Sequence, residues 1–332
     1  MFWFLLANGS LILAGRPKEL KFIEASISRH LKYHYRLALS QSHDSVSKSR
    51  LGRVFARGST YKVLNMSRIA ASQLMCQRTS FEEDVITLKQ QGYDGVGIWR
   101  DKLLEFGVEK GRELLTEVGL TVSSVQWAGG FTGDEHLRYE ECIADAQEAI
   151  QMASTLEAEC LVVYSGGRAG HTRNHCRKLF KEALRRLAPY AAERNVTLGL
   201  EPMHPATSSR WSISDSLSEM VEWVEKFNNP FVKLIFDSYH ICQDPPWPQW
   251  LEEHRSRICL IHLADANEPP SDEQNRCLLG TGHLPLEAFL TKVEAIGYDG
   301  FIEVELFGRA LEDHQLSKIL SHSREAMLGL QP

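Results

Sequence analysis

The sequence predicts a closed (β/α)₈ barrel that follows a basic amino-terminal extension. Eight short runs of β-branched and aromatic residues alternate with eight stretches of helical spacing between residues 66 and 332, and such alternation is typical of a parallel sheet covered by helices. Eight units in this length match a barrel, which takes about 250 residues. No G-x-G-x-x-G fingerprint follows the first strand and no phosphate-binding loop is present, which disfavours an open doubly wound sheet.

Residues 1–65 differ in charge from the rest of the chain. They hold 11 lysine and arginine residues against 3 acidic ones, a net charge of +8, whereas residues 66–332 have a net charge of −14. We expect residues 1–65 to be a disordered extension or the product of an over-called start, with the domain beginning at Met66. A targeting or membrane-surface role of this basic segment is the alternative.

The strands are predicted where short apolar runs are rich in Val, Ile, Leu and aromatic residues. In chain order they are Arg68–Cys76, Gly95–Arg100, Thr121–Trp127, Cys160–Ser165, Val196–Glu201, Val232–Asp237, Cys259–Ala264 and Phe301–Leu306.

The helices follow the strands in order. Ser80 and Glu83 have the spacing of a capping box at the start of the first helix, and Gly92 ends it. The other helices are predicted at Lys110–Val118, Tyr139–Leu156, Arg173–Glu193, Asp215–Phe227, Pro248–Arg255, Leu286–Ile296 and Leu311–Leu330. Because no linker interrupts the alternation, residues 66–332 are predicted to form one domain.

Composition narrows the class of protein further. No apolar run approaches the ~20 residues of a membrane-spanning helix, and the acidic balance of residues 66–332 disfavours nucleic acid as a partner. The seven cysteines are odd in number and contain no C-x-x-C, which fits reduced thiols. We therefore expect a cytoplasmic protein that binds neither membrane nor nucleic acid. The protein could form a homo-oligomer.

Four consecutive predicted strands, the fifth to the eighth, end in a charged or imidazole side chain. These residues are Glu201, Asp237, His262 and, on the last strand, Glu305. In a barrel of this kind the carboxyl ends of the strands carry the catalytic groups. Three carboxylates in one barrel mouth would repel one another unless a cation held them. Glu303 shares a strand face with Glu305, and we choose Glu305 because it lies nearer the strand end.

The predicted metal is a single divalent ion. A set of three carboxylates and one imidazole suits Mn²⁺, Mg²⁺ or Co²⁺, with Zn²⁺ as a further option, and leaves positions for substrate oxygens. Mn²⁺ is the expected ion.

Five motifs occur in order in the second half of the chain. They are E-P after the fifth strand, F-D-S-Y-H after the sixth, I-H-L-A-D after the seventh, G-T-G-H-L-P, and G-Y-D-G-F-I-E-V-E-L-F. Together they resemble the xylose isomerase-like TIM barrel family, and the resemblance covers Met66 to the carboxyl terminus. The family includes sugar and sugar-phosphate isomerases and epimerases, inosose dehydratases and apurinic endonucleases. The resemblance implies that the four strand-end residues bind one divalent metal, that Glu201 and Glu305 act as acid and base, and that His240 lines the substrate pocket.

The chain also departs from parts of the family. Thr207 and Glu268 stand where ketose 3-epimerases of the family have a glutamate and an arginine. The apurinic endonucleases have an Asp-Arg-His triplet where this chain reads Asn275-Arg276-Cys277, which disfavours a three-zinc nuclease site. The expected function is a sugar or sugar-phosphate isomerase or epimerase that transfers a proton through a metal-stabilised enediolate. An inosose-type dehydratase with the same site is the alternative.

Four other residues are candidates for binding a small sugar, polyol or sugar phosphate. Trp99 and Trp127 end their strands, where indole rings could wall a sugar site or serve as ordinary barrel packing. His204 could touch substrate or be structural, and Arg276 could reach substrate or brace its loop. Asp265 is expected to brace His262.

Overall fold

The structure is a computed structural model that describes residues 3–7, 10–14, 68–133, 137–207, 211–214, 216–271, 275–312 and 314–330. The chain divides into two units, Met1–Leu64 and Asn65–Pro332. In the first unit, β1 (Trp3–Ala7) and β2 (Ser10–Ala14) pair antiparallel, with Trp3 opposite Ala14. Residues 15–67 lie outside the described part, so the expected disorder of the extension stays a prediction.

The second unit contains a closed barrel of eight parallel strands, which confirms the predicted fold. The strands of the barrel are β3 (Arg68–Ser72), β4 (Gly95–Trp99), β5 (Thr121–Ala128), β6 (Cys160–Val163), β7 (Leu198–Leu200), β8 (Val232–Asp237), β9 (Ile258–Leu263) and β12 (Phe301–Val304). Going around the barrel the order is β12-β3-β4-β5-β6-β7-β8-β9. Two further strands of two residues each, β10 (Asp265–Ala266) and β11 (Arg276–Cys277), pair antiparallel in a separate ribbon.

The helices follow their strands as the apolar spacing predicts. They are α1 (Phe81–Gln90), α2 (Arg100–Phe106), α3 (Val108–Val118), α4 (Tyr139–Thr155), α5 (Arg173–Glu193), α6 (Leu217–Phe227), α7 (Ser238–Ile241), α8 (Trp247–Glu253), α9 (Leu286–Ala295) and α10 (Leu316–Leu330). Short 3₁₀ turns occupy Gln73–Met75, Arg255–Arg257 and Arg309–Leu311. The predicted capping box is present, since Ser80 Oγ accepts from the Glu83 amide and Glu83 accepts from the Ser80 amide.

Helix α2 was not predicted from the sequence. It begins directly after β4 and buries only Lys102 and Leu103. Its apolar face is therefore too short to produce a recognisable helical period.

Two apolar clusters pack against the barrel strands, one outside the barrel and one inside it. The larger cluster lies between strands and helices, whereas the barrel interior holds a small cluster of Ala70, Cys160, Val162, Ile235, Leu260 and Phe301. Cys160 and Phe301 are the first residues of β6 and β12, so this cluster reaches the amino end of the barrel.

Two further expectations concern cysteines and membranes. No disulfide joins the seven cysteines, all of which lie in the described residues. Within the described part of the chain, no helix combines the length and apolarity that a membrane span requires.

Candidate active site

Four side chains meet at the carboxyl end of the barrel. Glu201 follows β7, Asp237 ends β8, His262 is the penultimate residue of β9, and Glu305 follows β12. One ligand atom from each of these buried residues lies within 4.8 Å of the others. They converge because the strands are parallel and neighbouring, so their carboxyl ends surround one opening.

His262 and Arg276 supply the positive charge in this cluster. His262 Nδ1 lies 3.2 Å from Glu201 Oε1 and 3.7 Å from Glu305 Oε2. Arg276 Nη2 donates to Asp237 Oδ2 at 2.7 Å and to Glu305 Oε2 at 3.3 Å. Every carboxylate of the cluster therefore faces one of two cationic side chains.

The charge on the carboxylates is still only partly compensated. Burial raises the pKa of Glu201 to about 6, although the positive charge of His262 opposes the shift. Burial raises the pKa of Asp237 in the same way, against Arg276. Burial lowers the pKa of His262, but Glu305 and Glu201 outweigh it and hold that pKa well above its ordinary value. Without a further cation, the cluster thus tends to retain protons.

These donors fit a divalent cation. Three carboxylates and one imidazole are hard to intermediate ligands of the kind that Mn²⁺, Mg²⁺, Co²⁺ and Zn²⁺ accept. Two donors at about 2.1 Å from one ion lie within about 4.2 Å of each other, so the observed spread of 4.8 Å closes with small side-chain rotations. A bound divalent ion would also replace the protons that burial favours.

Glu303, the second candidate on the last strand, lies deeper than Glu305. Its carboxylate accepts hydrogen bonds from Ser123 Oγ at 2.6 Å and from Ser124 Oγ at 3.0 Å. Gln126 Nε2 donates both to Glu303 Oε1 at 3.2 Å and to Glu305 Oε1 at 3.0 Å. Glu303 is fully buried and is not part of the four-residue group.

A cavity of about 140 Å³ opens onto the cluster. Five residues named from the sequence line it, namely Trp127, Glu201, His240, Arg276 and Glu305. Its other lining residues, which the sequence did not single out, are Leu74, Gln77, Gln126, Val162, Tyr164, Met203, Trp211 and Phe307. The cavity therefore joins the carboxylates to an extensive aromatic surface.

One wall of the cavity is a group of three aromatic rings. The Trp127 ring centroid lies 5.3 Å from that of Trp211 and 6.0 Å from that of Tyr164, and all three rings meet edge to face. Faces of this kind pack against the C–H surfaces of a sugar ring, which are apolar. The sequence analysis did not single out Tyr164 or Trp211. Tyr164 directly follows β6, within the predicted strand Cys160–Ser165, and Trp211 lies well beyond the end of β7.

Arg276 enters the site on the ribbon strand β11. Its guanidinium lies between two rings, 4.3 Å from the Tyr239 centroid and 4.1 Å from the Phe307 centroid, and the side chain is buried. The stacking holds the guanidinium in place. Arg276 thus lies in the cavity wall beside the carboxylates, and its contact with substrate stays a prediction.

His240 and His204 are in contact, but only His240 lines the cavity. The His204 backbone amide donates to His240 Nδ1 at 3.3 Å, whereas the His204 side chain is half-buried. Burial and the nearby Arg276 hold the pKa of His240 well below its ordinary value, so its imidazole is neutral.

Trp99 is not among the residues that line this cavity. Its backbone amide donates to Gln73 Oε1, and its ring lies 5.9 Å from Lys102 Nζ. A contact of Trp99 or His204 with substrate stays a prediction.

Asp265 has a different role from the one expected. Its carboxylate accepts from the backbone amides of Gly280 and Gly282 at 2.9 Å each, and from those of Ala266 and Leu284. The expectation that it braces His262 was therefore wrong. Asp265 instead organises the G-T-G-H-L-P loop that follows β11, because the glycines let the backbone approach: a Cβ on Gly282 would lie 2.1 Å from Asp265 Oδ1.

Comparison with known proteins identifies the family. The sequence pattern of the xylose isomerase-like TIM barrel family matches residues 86–327, and the chain belongs to this family. The match confirms the resemblance seen in the strand-end motifs.

Two relatives and one solved structure are similar to the chain. The chain is 23% identical over 235 residues to a 3-dehydroshikimate dehydratase of Pseudomonas putida, and this alignment covers 68% of the chain but only 36% of that relative. It is 24% identical over 246 residues to an L-ribulose 3-epimerase of a Methylomonas species, covering 73% of the chain and 80% of the relative. The crystal structure of the IolI protein with a bound zinc atom superposes with a TM-score of 0.68 at 18% identity, covering 79% of this chain and 97% of that one.

Proposed function

We propose that the chain is a divalent-metal-dependent sugar or sugar-phosphate epimerase or isomerase. The observation that carries this proposal is the group of four buried donors, Glu201, Asp237, His262 and Glu305. Two of them, Glu201 and Glu305, line a cavity that also has aromatic rings in its wall. The similarity to ketose epimerases supports it. In this proposal the ion is Mn²⁺ and the protein is cytoplasmic, acting on a small molecule with no nucleic-acid or membrane partner.

Glu201 and Glu305 are the acid and base of the proposed reaction. Their strands β7 and β12 are separated around the barrel by β8 and β9, so the two carboxylates can face a substrate from different sides. One carboxylate takes the proton from the carbon beside a carbonyl, and the other returns a proton to a different face or carbon. A bound divalent ion supplies Lewis-acid polarisation of that carbonyl.

Other residues of the chain orient the substrate. Arg276 lies within reach of both Asp237 and Glu305 and can donate to a substrate oxygen that carries negative charge. The neutral imidazole of His240 can donate or accept a hydrogen bond at the cavity wall. The aromatic group excludes water from one side of the reacting carbon.

A dehydratase that uses the same site is the second candidate. Two of the matching relatives are 3-dehydroshikimate dehydratases, and loss of water can follow the same proton abstraction beside a carbonyl. In that case the second carboxylate protonates a departing hydroxyl instead of returning the proton to carbon.

The first experiment tests the metal and the chemistry together. The purified protein is loaded with Mn²⁺ and incubated in D₂O with ketoses, inososes and their phosphates, and NMR follows deuterium incorporation beside the carbonyl. Epimerisation or isomerisation gives deuterated stereoisomers or positional isomers, whereas dehydration gives an unsaturated product. If the protein binds no divalent metal after loading and dialysis, the proposal fails.

The second experiment tests the ligand set. Asp237→Asn and His262→Ala should remove bound metal and activity while far-UV circular dichroism stays that of the wild type. Glu159→Gln is the control, because Glu159 pairs with Arg68 on the surface at 2.8 Å. A variant at Asp237 or His262 that keeps stoichiometric metal and full activity would show that the ligand set is wrong.

The third experiment separates the two glutamates. In Glu201→Gln and Glu305→Gln the amide oxygen can still bind metal but cannot accept the proton, so turnover should fall by about 10²–10⁴-fold. One of the two variants should still exchange deuterium into substrate without forming product. If both keep near wild-type turnover, the two-carboxylate mechanism is abandoned and His240 becomes the candidate base.

A further inference from the structure

The imidazole of His262 has a carboxylate on each of its two nitrogen sides. Nδ1 faces Glu201 and Glu305, whereas Nε2 lies 3.7 Å from Glu303 Oε1. The two nitrogens of the rigid ring point in different directions. An ion bound by Nδ1 together with Glu201 and Glu305 is therefore out of reach of Glu303, and Glu303 lies behind the histidine of the ligand set.

The Nε2 atom of His262 lacks a hydrogen-bond acceptor in the described part of the chain. The side chain is fully buried. Buried polar atoms are rarely left in this state. The Glu303 carboxylate faces this atom, and a movement of about 0.7 Å would bring the pair to hydrogen-bond distance.

We propose that Glu303 is a positioning residue that accepts a hydrogen bond from Nε2–H of His262 and thereby directs the Nδ1 lone pair at the metal. A neutral imidazole carries one proton, and an acceptor beside Nε2 keeps the proton on that nitrogen. Metal-bound histidines commonly donate their other N–H to a carboxylate in this way. The inference rests on the proposed function, because it requires a metal at the four donors.

The surroundings of Glu303 are built to hold a carboxylate in this place. The hydroxyls of Ser123 and Ser124 and the amide of Gln126 all donate to it. Gly97 on β4 leaves room on another side, since a Cβ there would lie 2.2 Å from Glu303 Oε1. A buried carboxylate is costly without such donors, so four positions on β4 and β5 support one side chain of β12.

Gln126 links Glu303 to the ligand set. Its Nε2 donates to Glu303 and to Glu305, and Ser72 Oγ donates to its Oε1 at 2.7 Å. The Ser72 hydroxyl thus keeps the amide group of Gln126 directed at the two glutamates. Glu303, Gln126 and Ser72 form a hydrogen-bonded chain that adjoins the proposed metal ligands.

Metal affinity gives the first test. Zn²⁺ binding is measured by competition with a chromophoric chelator for the wild type, Glu303→Gln and Glu303→Ala, at one pH near neutrality. Glu303→Ala should weaken Zn²⁺ binding by about 10- to 100-fold, and Glu303→Gln should weaken it less because its amide oxygen still accepts. The control is Glu159→Gln, the same chemical change at a surface pair, which should leave affinity unchanged.

The tautomer of His262 gives a readout that a merely structural residue would not move. In Zn²⁺-loaded protein with ¹⁵N-labelled histidine, we expect His262 to carry its proton on Nε2, with the proton resonance shifted downfield by the carboxylate. Spectra of metal-free His262→Gln, which lacks this residue, assign the signal. In Glu303→Ala the downfield shift should disappear.

A milder variant keeps the test decisive if Glu303→Ala fails to fold. Ser124→Ala retains Glu303 but removes a donor to it, and should produce a smaller change of the same sign in the Nε2–H resonance. Wild-type affinity in Glu303→Ala, or a Zn²⁺-loaded wild type protonated at Nδ1, would overturn the inference while leaving the metal site intact. Failure of the wild type to bind Zn²⁺ and Mn²⁺ would instead overturn the proposed function.

Discussion

Replacing Gly97 by alanine should destabilise the barrel by forcing Glu303 out of its place. The new Cβ would lie 2.2 Å from Glu303 Oε1, 2.6 Å from Cδ and 2.8 Å from Oε2, whereas ordinary contacts begin at 3.4 Å. The carboxylate would have to retreat by about 1.2 Å on the shortest of these contacts. Ser123 and Ser124 cannot follow readily, because both belong to β5.

The expected cost combines two effects. Overpacking a buried site costs about 1–3 kcal/mol, and weakening hydrogen bonds to a buried charged group costs about 1.5–3 kcal/mol. We therefore expect the free energy of unfolding of metal-free Gly97→Ala to fall by about 2.5–6 kcal/mol.

Urea unfolding followed by circular dichroism measures this change. Gly329→Ala is the matched control, because Gly329 lies in α10 and a Cβ there meets nothing within 4 Å. Alanine in a helix is favoured over glycine by about 0.5–1 kcal/mol, so the control should be slightly more stable than the wild type. If Gly97→Ala unfolds at the wild-type urea concentration, the tight packing of Glu303 against β4 is refuted.

Three further results are expected. The rise in Tm that Mn²⁺ produces should shrink as the pH falls through about 6, because the raised pKa values of Glu201 and His262 let protons compete with the ion. Thermal unfolding with and without Mn²⁺ measures this rise at each pH. An equal rise at all pH values would contradict the prediction. Asp265→Ala should lower the free energy of unfolding by about 3 kcal/mol, since it leaves backbone amides without their acceptor. It should also raise KM by loosening the loop that follows Arg276, and unaltered stability and kinetics would count against this role. A protein that begins at Met66 should fold with the circular dichroism and activity expected of the barrel, and an insoluble or inactive product would show that residues 1–65 are required.

The hydrophobic pattern determined the fold. Strand residues alternate with amphipathic helices eight times, and each strand must be buried on both faces in a parallel sheet. The helix Arg173–Glu193 was predicted with the bounds that the structure shows, because its apolar positions recur over many turns. Helix α2 was missed because Leu103 is its only buried apolar residue, which leaves no period to detect.

The four residues that meet at the barrel mouth were also predicted from the sequence. Glu201, Asp237, His262 and Glu305 each stand at the end of an apolar run, and a closed parallel barrel necessarily brings such positions to one mouth. The choice of Glu305 over Glu303 was made on distance along the strand. Both residues point inwards, and only their depths in the barrel distinguish them.

The partners of these residues depended on the tertiary structure. Arg276 lies 39 residues from Asp237 along the chain. It reaches the site because Asp265 binds the backbone amides of the loop that follows β11 and because two aromatic rings hold its guanidinium. The residues that surround the Glu303 carboxylate include two serines and a glycine, which belong to strands far from it in sequence. Small residues of this kind carry no local signal, since their effect comes from the space and the donors that they offer to a side chain across the barrel. The sequence thus determined which chemical groups stand at the strand ends, whereas the closure of the barrel decided which group supports, neutralises or faces another.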